Sequence, residues 1–238
     1  MAFPYAPGPS SEGPPGDTYA VLLLRTALDR AVEELRRIHF SGWIAPPESG
    51  WLPVLAVPGD GAVAAGRRGI VDVGAELAAT LDTPAVAIRV LADRQLALVA
   101  WSGGEELGRY VSDPSREPGA EEDTLPDPYG VSLAPELAEL CGHADRAADI
   151  SDLLDEPLDP DSFIESERLA KLLRLLSLPT WLVAVATLPR DIPTGPGAAE
   201  LTHLGPPRWL ARRTRRRAPA PVLTDPPRGA SGMDPWLL

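Results

Sequence analysis

Residues 84–112 read PAVAIRVLADRQLALVAWSGGEELGRYVS, and the side-chain period inside them is two. Val86, Ile88 and Val90 alternate along the first part. Leu96, Leu98 and Ala100 alternate again after ADRQ, and Leu107, Arg109 and Val111 lead out after SGGEE. An apolar residue at every second position suits a strand with one covered face, and Gly, Ser and Asp supply the turns between. The stretch is expected to form an antiparallel three-strand meander.

Upstream, YAVLLLR (19–25) is apolar on both faces, as a central strand would be, and TALDRAVEELRRI (26–38) follows with Ala27, Ala31, Leu35 and Ile38 at helical spacing. A single helix over 18–38 is the alternative, because the apolar stripe extends back through Leu24 and Ala20. GWIAPPESGWLPVLAV (42–57) reads as two short extended pieces around a Pro/Gly turn, and IVDVGAELAATL (70–81) as a helix. Downstream, helical patterns lie near 133–142, 144–154 and 162–177. The apolar run LPTWLVAVATLP (178–189), closed by prolines, reads as a short strand.

The fold class expected is α+β: a mixed or antiparallel sheet carrying the 84–112 meander, a helical C-terminal half, and disordered termini. By domain, residues 1–16 form a disordered tail and 17–112 the sheet-containing part. Residues 113–130 form an acidic, Pro-rich linker, 131–190 a helical part packing on the sheet, and 191–238 a Pro/Arg-rich, mostly disordered tail.

Charge is segregated along the chain. Residues 113–167 hold 17 Asp and Glu against Arg116 and Arg146, within a chain of net charge −12. Residues 201–238 hold seven Arg against Asp225 and Asp234, with the run RWLARRTRRRAPAP at 208–221. Lys171 is the only lysine beside 21 arginines, so an arginine run is weaker evidence for nucleic acid than it would be in a lysine-rich chain.

Most site chemistries are excluded by spacing. Cys141 is the one cysteine, so no internal disulfide can form, and Cys141 with His143 falls short of a tetrahedral metal site. No metal site and no cofactor site is read. GDGAVA (59–64) follows an extended segment, but Gly66 and Gly69 interrupt the helix a pyrophosphate cradle needs. No catalytic residue is assigned, and the reading leans against an enzyme. The N-terminus lacks a basic start and apolar core, and no apolar run approaches the roughly 20 residues of a bilayer span, so a cytoplasmic protein without membrane attachment is expected.

The interaction candidates are of three kinds. Trp43 and Trp51 flank the IAPPESG turn and would mark a contact surface if exposed together. Asp145, Asp149, Asp152 and Glu156 recur at helical spacing and line one face. Arg212, Arg213, Arg215, Arg216 and Arg217 form the basic tail. The first functional expectation is a soluble, non-enzymatic protein-interaction protein, of adaptor, inhibitor or immunity type, using an acidic surface. Its partner is another protein, with a second copy of the chain, through tail and belt, as a further candidate. One alternative is an enzyme with a cleft between the sheet and the helical half. The other is weak nucleic-acid contact through the arginine tail, against which the acidic body argues.

Overall fold

The computed structural model of the chain describes residues 16–58, 61–157, 164–205 and 221–228. The strands are β1 Tyr19–Leu24, β2 Gly42–Ile44, β3 Leu52–Ala56, β4 Ala85–Leu91, β5 Gln95–Ser102, β6 Glu105–Val111 and β7 Thr202–Leu204. They form one seven-stranded sheet in the order β6-β5-β4-β1-β3-β2-β7. Every pairing in it is antiparallel, so the mixed alternative is corrected. The helices are α1 Leu28–Arg37, α2 Ile70–Leu81, α3 Leu133–Leu140, α4 Ala147–Asp155 and α5 Glu165–Leu175.

The sheet is covered on both faces. Leu22 and Leu24 of β1 face a cluster shared with Ala31 and Leu35 of α1 and Val73 and Leu77 of α2. Val21 and Leu23 face the opposite cluster, shared with Leu137 of α3, Ile150 of α4 and Leu169 of α5. This double burial explains why YAVLLL lacks alternation and resolves 19–38 as strand then helix. In the meander, Val86, Ile88 and Val90 sit opposite Ala100, Leu98 and Leu96 across the ladder, so the two alternating sets are cross-strand neighbours under α3–α5.

The third strand departs from the expected phase. Ala100 pairs with Gly108 and Trp101 with Glu106, which leaves Leu107 outside the ladder. That bulge reverses the alternation: Leu107 packs with the α3–α5 cluster while Val111 belongs to the α1–α2 cluster. Gly74, in the middle of α2, marks a close approach. A Cβ there would lie 2.8 Å from Cζ3 of Trp101 and 3.1 Å from Cδ1 of Leu22.

One other expectation is corrected. Residues 180–187 form a 3₁₀ helix, not a strand, and Trp181, Leu182 and Val185 are its buried side. A fully apolar run has no period to separate the two, and its bounding prolines deny it a ladder. Within 113–130, Glu117 and Thr124 are buried, and Val111 and Tyr129 exchange backbone hydrogen bonds of 2.9 and 2.8 Å. Beyond Asp191, the described residues include further ordered structure. Strand β7 pairs with β2, and Val222 and Leu223 are buried in the α1–α2 cluster. Residues 1–15, 206–220 and 229–238 lie outside those described, and with them most of the expected disordered termini.

Candidate functional site

The exposed charge concentrates on α3, α4 and the short turn between them. Leu133, Ala134, Leu137 and Ala138 anchor α3 in the core, and Ile150 and Leu154 anchor α4. The helical period therefore turns Glu136, Glu139, Asp149, Asp152 and Asp155 to solvent, joined by Asp145 in the preceding 3₁₀ turn and Glu156 at the end of α4. All four predicted carboxylates, Asp145, Asp149, Asp152 and Glu156, are exposed. Over 133–156 the seven carboxylates face one arginine, Arg146. Arg146 reaches Asp145 at 3.5 Å and Asp149 at 3.4 Å, exposed contacts worth little in water.

Asp145, Arg146 and Asp149 also edge a cleft of ≈ 580 Å³ between the start of α4 and the end of α5, with Leu153 and Leu175 as its apolar wall. Lys171 and Arg174 stand on its α5 side. The enzymatic alternative placed a cleft elsewhere, where the sheet meets the helical layer. That interface is filled by side chains such as Leu98, Tyr110, Leu137, Leu169 and Leu172, all buried.

The tryptophans are core residues, and the contact-surface expectation for them is corrected. Trp43 is 7% exposed and Trp51 2%. Trp43 meets His203 of β7 edge-on at 5.6 Å, and the Arg25 guanidinium sits 4.6 Å over the Trp51 ring. Their turn is itself covered: Trp181 Nε1 donates to Glu48 at 2.8 Å from the 3₁₀ helix. The contact of Trp43 with β7 and the tie from Trp181 to the turn both come from sequence-distant elements, and spacing around the IAPPESG turn carries no trace of either. Arg212, Arg213, Arg215, Arg216 and Arg217 lie outside the described residues.

Two buried ionic centres were not foreseen. Both lie near the β4–β5 hairpin, one on each face of the sheet. On the α1–α2 side, Arg89 Nη2 donates to Glu117 at 2.5 Å and to Gln95 Oε1 at 2.8 Å. Burial pulls the Arg89 guanidinium below its ordinary value, and the Glu117 charge acts against that pull. On the other side, Arg168 Nε lies 3.2 Å from Glu165, and both side chains are buried. Arg168 also donates to the Tyr110 hydroxyl at 2.8 Å and to the Glu156 carbonyl at 2.5 Å. Burial pushes the Glu165 carboxyl above the usual glutamate value, with Arg168 opposing, and pushes the phenols of Tyr19 and Tyr110 up as well. Tyr19 shares a hydrogen bond of 3.1 Å with Ser166, whose hydroxyl donates to Asp93 at 2.6 Å. The available signals were a lone Arg89 within the apolar AVAIRVL and the one Gln of the chain at the start of β5.

These groups tie loops to the sheet. Among the described residues no three His, Cys, Asp or Glu side chains converge to hold a metal ion. Burial pushes the Cys141 thiol up to about 12, so its thiolate is scarce at neutral pH. No described helix is long and apolar enough to cross a membrane. The chain matches no protein-family model, no curated protein and no solved structure.

Proposed function

We propose that the chain is a non-enzymatic protein-interaction protein, of adaptor, inhibitor or immunity type, that meets a basic protein partner through the outer face of α3 and α4. The observation that carries this reading is the display of seven exposed carboxylates against Arg146 on two helices and the turns at their ends, with the inner faces of both helices buried in the core. Such a surface attracts a basic partner over a Debye length of about 8 Å at physiological ionic strength and speeds its encounter. Buried acids contribute little to that field, because Glu117 and Glu165 are matched internally by Arg89 and Arg168.

The test compares the full-length chain with its D145N/D149N/D152N/E156Q variant, each immobilised and exposed to native lysate at 50 and 500 mM NaCl. The proposal expects a basic protein that the wild type retains at low salt, that elutes at high salt, and that the variant fails to retain. Retention by both forms alike, or no salt-sensitive protein in repeated captures, overturns it.

A further inference from the structure

The segment Pro221–Arg228 is joined to the rest of the described fold only through 206–220, yet the body holds it by its main chain. The Val222 N–H donates to Glu117 Oε2 at 2.8 Å, and the Val222 carbonyl accepts from Arg109 Nη1 at 2.7 Å. Each of these two side chains is already fixed by an opposite charge. The other oxygen of Glu117 takes Arg89 at 2.5 Å. The other nitrogens of Arg109 make a two-pronged contact with Glu106 at 2.8 and 2.7 Å. Val222 and Leu223 are 3% and 5% exposed and complete the α1–α2 cluster. Further along, Arg228 bridges to Thr124 and pairs with Glu121 at 2.7 Å on the open surface.

This is a recognition arrangement, not a ladder. A main-chain donor and acceptor are read by preset charged side chains, and two adjacent aliphatic side chains are swallowed beside them. Main-chain reading gives affinity for an extended segment, and side-chain burial gives the choice of residue, the division of labour seen where proteins bind extended peptides. The residue read must keep its N–H, so proline is excluded at that position. We infer that the slot formed by Glu117, Arg109 and Arg89 is a binding site for an extended peptide with an aliphatic pair of the Val-Leu kind. Pro221–Arg228 is its tethered occupant, and a protein partner presenting the same pattern binds by displacing it. The site is separate from the acidic face of α3 and α4, so it stands or falls independently of the function proposed above.

A tethered occupant competes at an effective concentration on the order of millimolar, so it weakens binding of the same peptide in trans by the ratio of that concentration to the peptide's dissociation constant. The probe is a fluorescein-labelled peptide of residues 221–228, PVLTDPPR, followed by anisotropy against the full-length chain. Wild type is compared with V222D/L223D, in which the tethered occupant loses both anchors. The inference expects the variant to bind the peptide at least about tenfold tighter than wild type, and E117A added to the variant to abolish that binding. Equal binding by wild type and V222D/L223D, or binding that survives E117A, overturns it. A second arm uses only the wild-type chain, labelled with ¹⁵N. Unlabelled peptide titrated through millimolar concentration is expected to shift the Val222 and Leu223 amide resonances partway toward random-coil positions, in step with its concentration, while those of β4 and β5 stay in place. Val222 and Leu223 signals that do not respond overturn the inference as well.

Discussion

Arg89→Ala removes one half of a buried ion pair and leaves the other half in place. The Arg89 and Glu117 side chains are 7% and 1% exposed and lie 2.5 Å apart. With the guanidinium gone, the Glu117 carboxylate keeps the Val222 N–H as its one remaining hydrogen-bond donor among the described residues. Stranding a charge at such a depth costs about 3–5 kcal/mol. Against a total stability of about 5–15 kcal/mol this is a large loss. With an m-value of about 2 kcal/mol/M it moves the urea midpoint down by about 2 M. Glu117→Met should cost a similar amount, since the buried Arg89 guanidinium would lose the carboxylate that holds it at 2.5 Å. The double variant R89M/E117M takes both charges away. Replacing a buried pair with apolar side chains is often neutral or better, whereas the orphaned Val222 N–H costs about 1–3 kcal/mol. The double variant is therefore expected within about 3 kcal/mol of wild type, with a coupling energy of at least about 2 kcal/mol between the two positions. Equilibrium urea denaturation at pH 7, followed by tryptophan fluorescence, measures all four corners of the cycle. An R89A loss under about 1 kcal/mol would show a solvated pair and refute the reasoning, as would single losses that simply add in the double variant.

Two further predictions test other parts of the fold. Burial holds the Glu165 carboxyl above its ordinary value of 4.5, so above pH 4.5 the folded chain keeps a proton that the unfolded chain has lost. Stability attributable to this group is full below 4.5 and falls as pH rises toward the raised value. Urea melts of wild type and E165Q from pH 4 upward should show the stability of wild type relative to the variant declining once pH passes 4.5, and a flat difference would contradict it. In α2, Gly74→Ala gains about 1 kcal/mol of helix propensity. It also drives a methyl to 2.8 Å from the buried Trp101 ring, an overpacking of about 1–3 kcal/mol, so the net effect is destabilising. Gly104→Ala is the matched control, since its Cβ would meet nothing nearer than 3.7 Å and its melt should stay within about 0.5 kcal/mol of wild type.

The sheet and most of its helices were legible because they depend on local period. The two-faced apolar run of β1 records cover on both faces, and the alternation of 84–102 marks the face under α3–α5, whereas the second covered face of β4 and β5 and the phase reversal in β6 are set by packing and by the bulge after Ala100. What escaped depends on partners distant in sequence. Thr202–Leu204 is three residues long and becomes a strand only because β2 offers an open edge. Val222 and Leu223 stand among prolines and gain meaning from distant partners: the α1–α2 cluster that buries both, and Glu117 and Arg109, which hold the Val222 main chain from more than 100 positions away. Whether Trp43 and Trp51 would be exposed together was not legible from their own stretch, because Trp43 meets His203 of β7, 160 positions later, and the turn between them is held by Trp181. The exposure of Asp149 and Asp152 was readable for the opposite reason: it follows from the burial of Ile150 and Leu154 on the same helix.

The acidic belt counted along the sequence therefore divides into two populations with different work. Glu117 and Glu165 are internal: each is paired to an arginine and placed where a loop or helix start meets the sheet, so their loss acts on stability and on the Pro221–Arg228 segment. Glu136, Glu139, Asp145, Asp149, Asp152, Asp155 and Glu156 are external and nearly uncompensated, so their loss changes the surface field and leaves the core alone. The two sets separate folding from recognition. Neutralising the external set should lower the salt dependence of partner binding while the urea midpoint stays close to that of wild type. Substituting Glu117 should move the midpoint and leave that salt dependence unchanged. A partner whose salt dependence followed Glu117 instead would relocate recognition from the helical face to the slot that holds Val222.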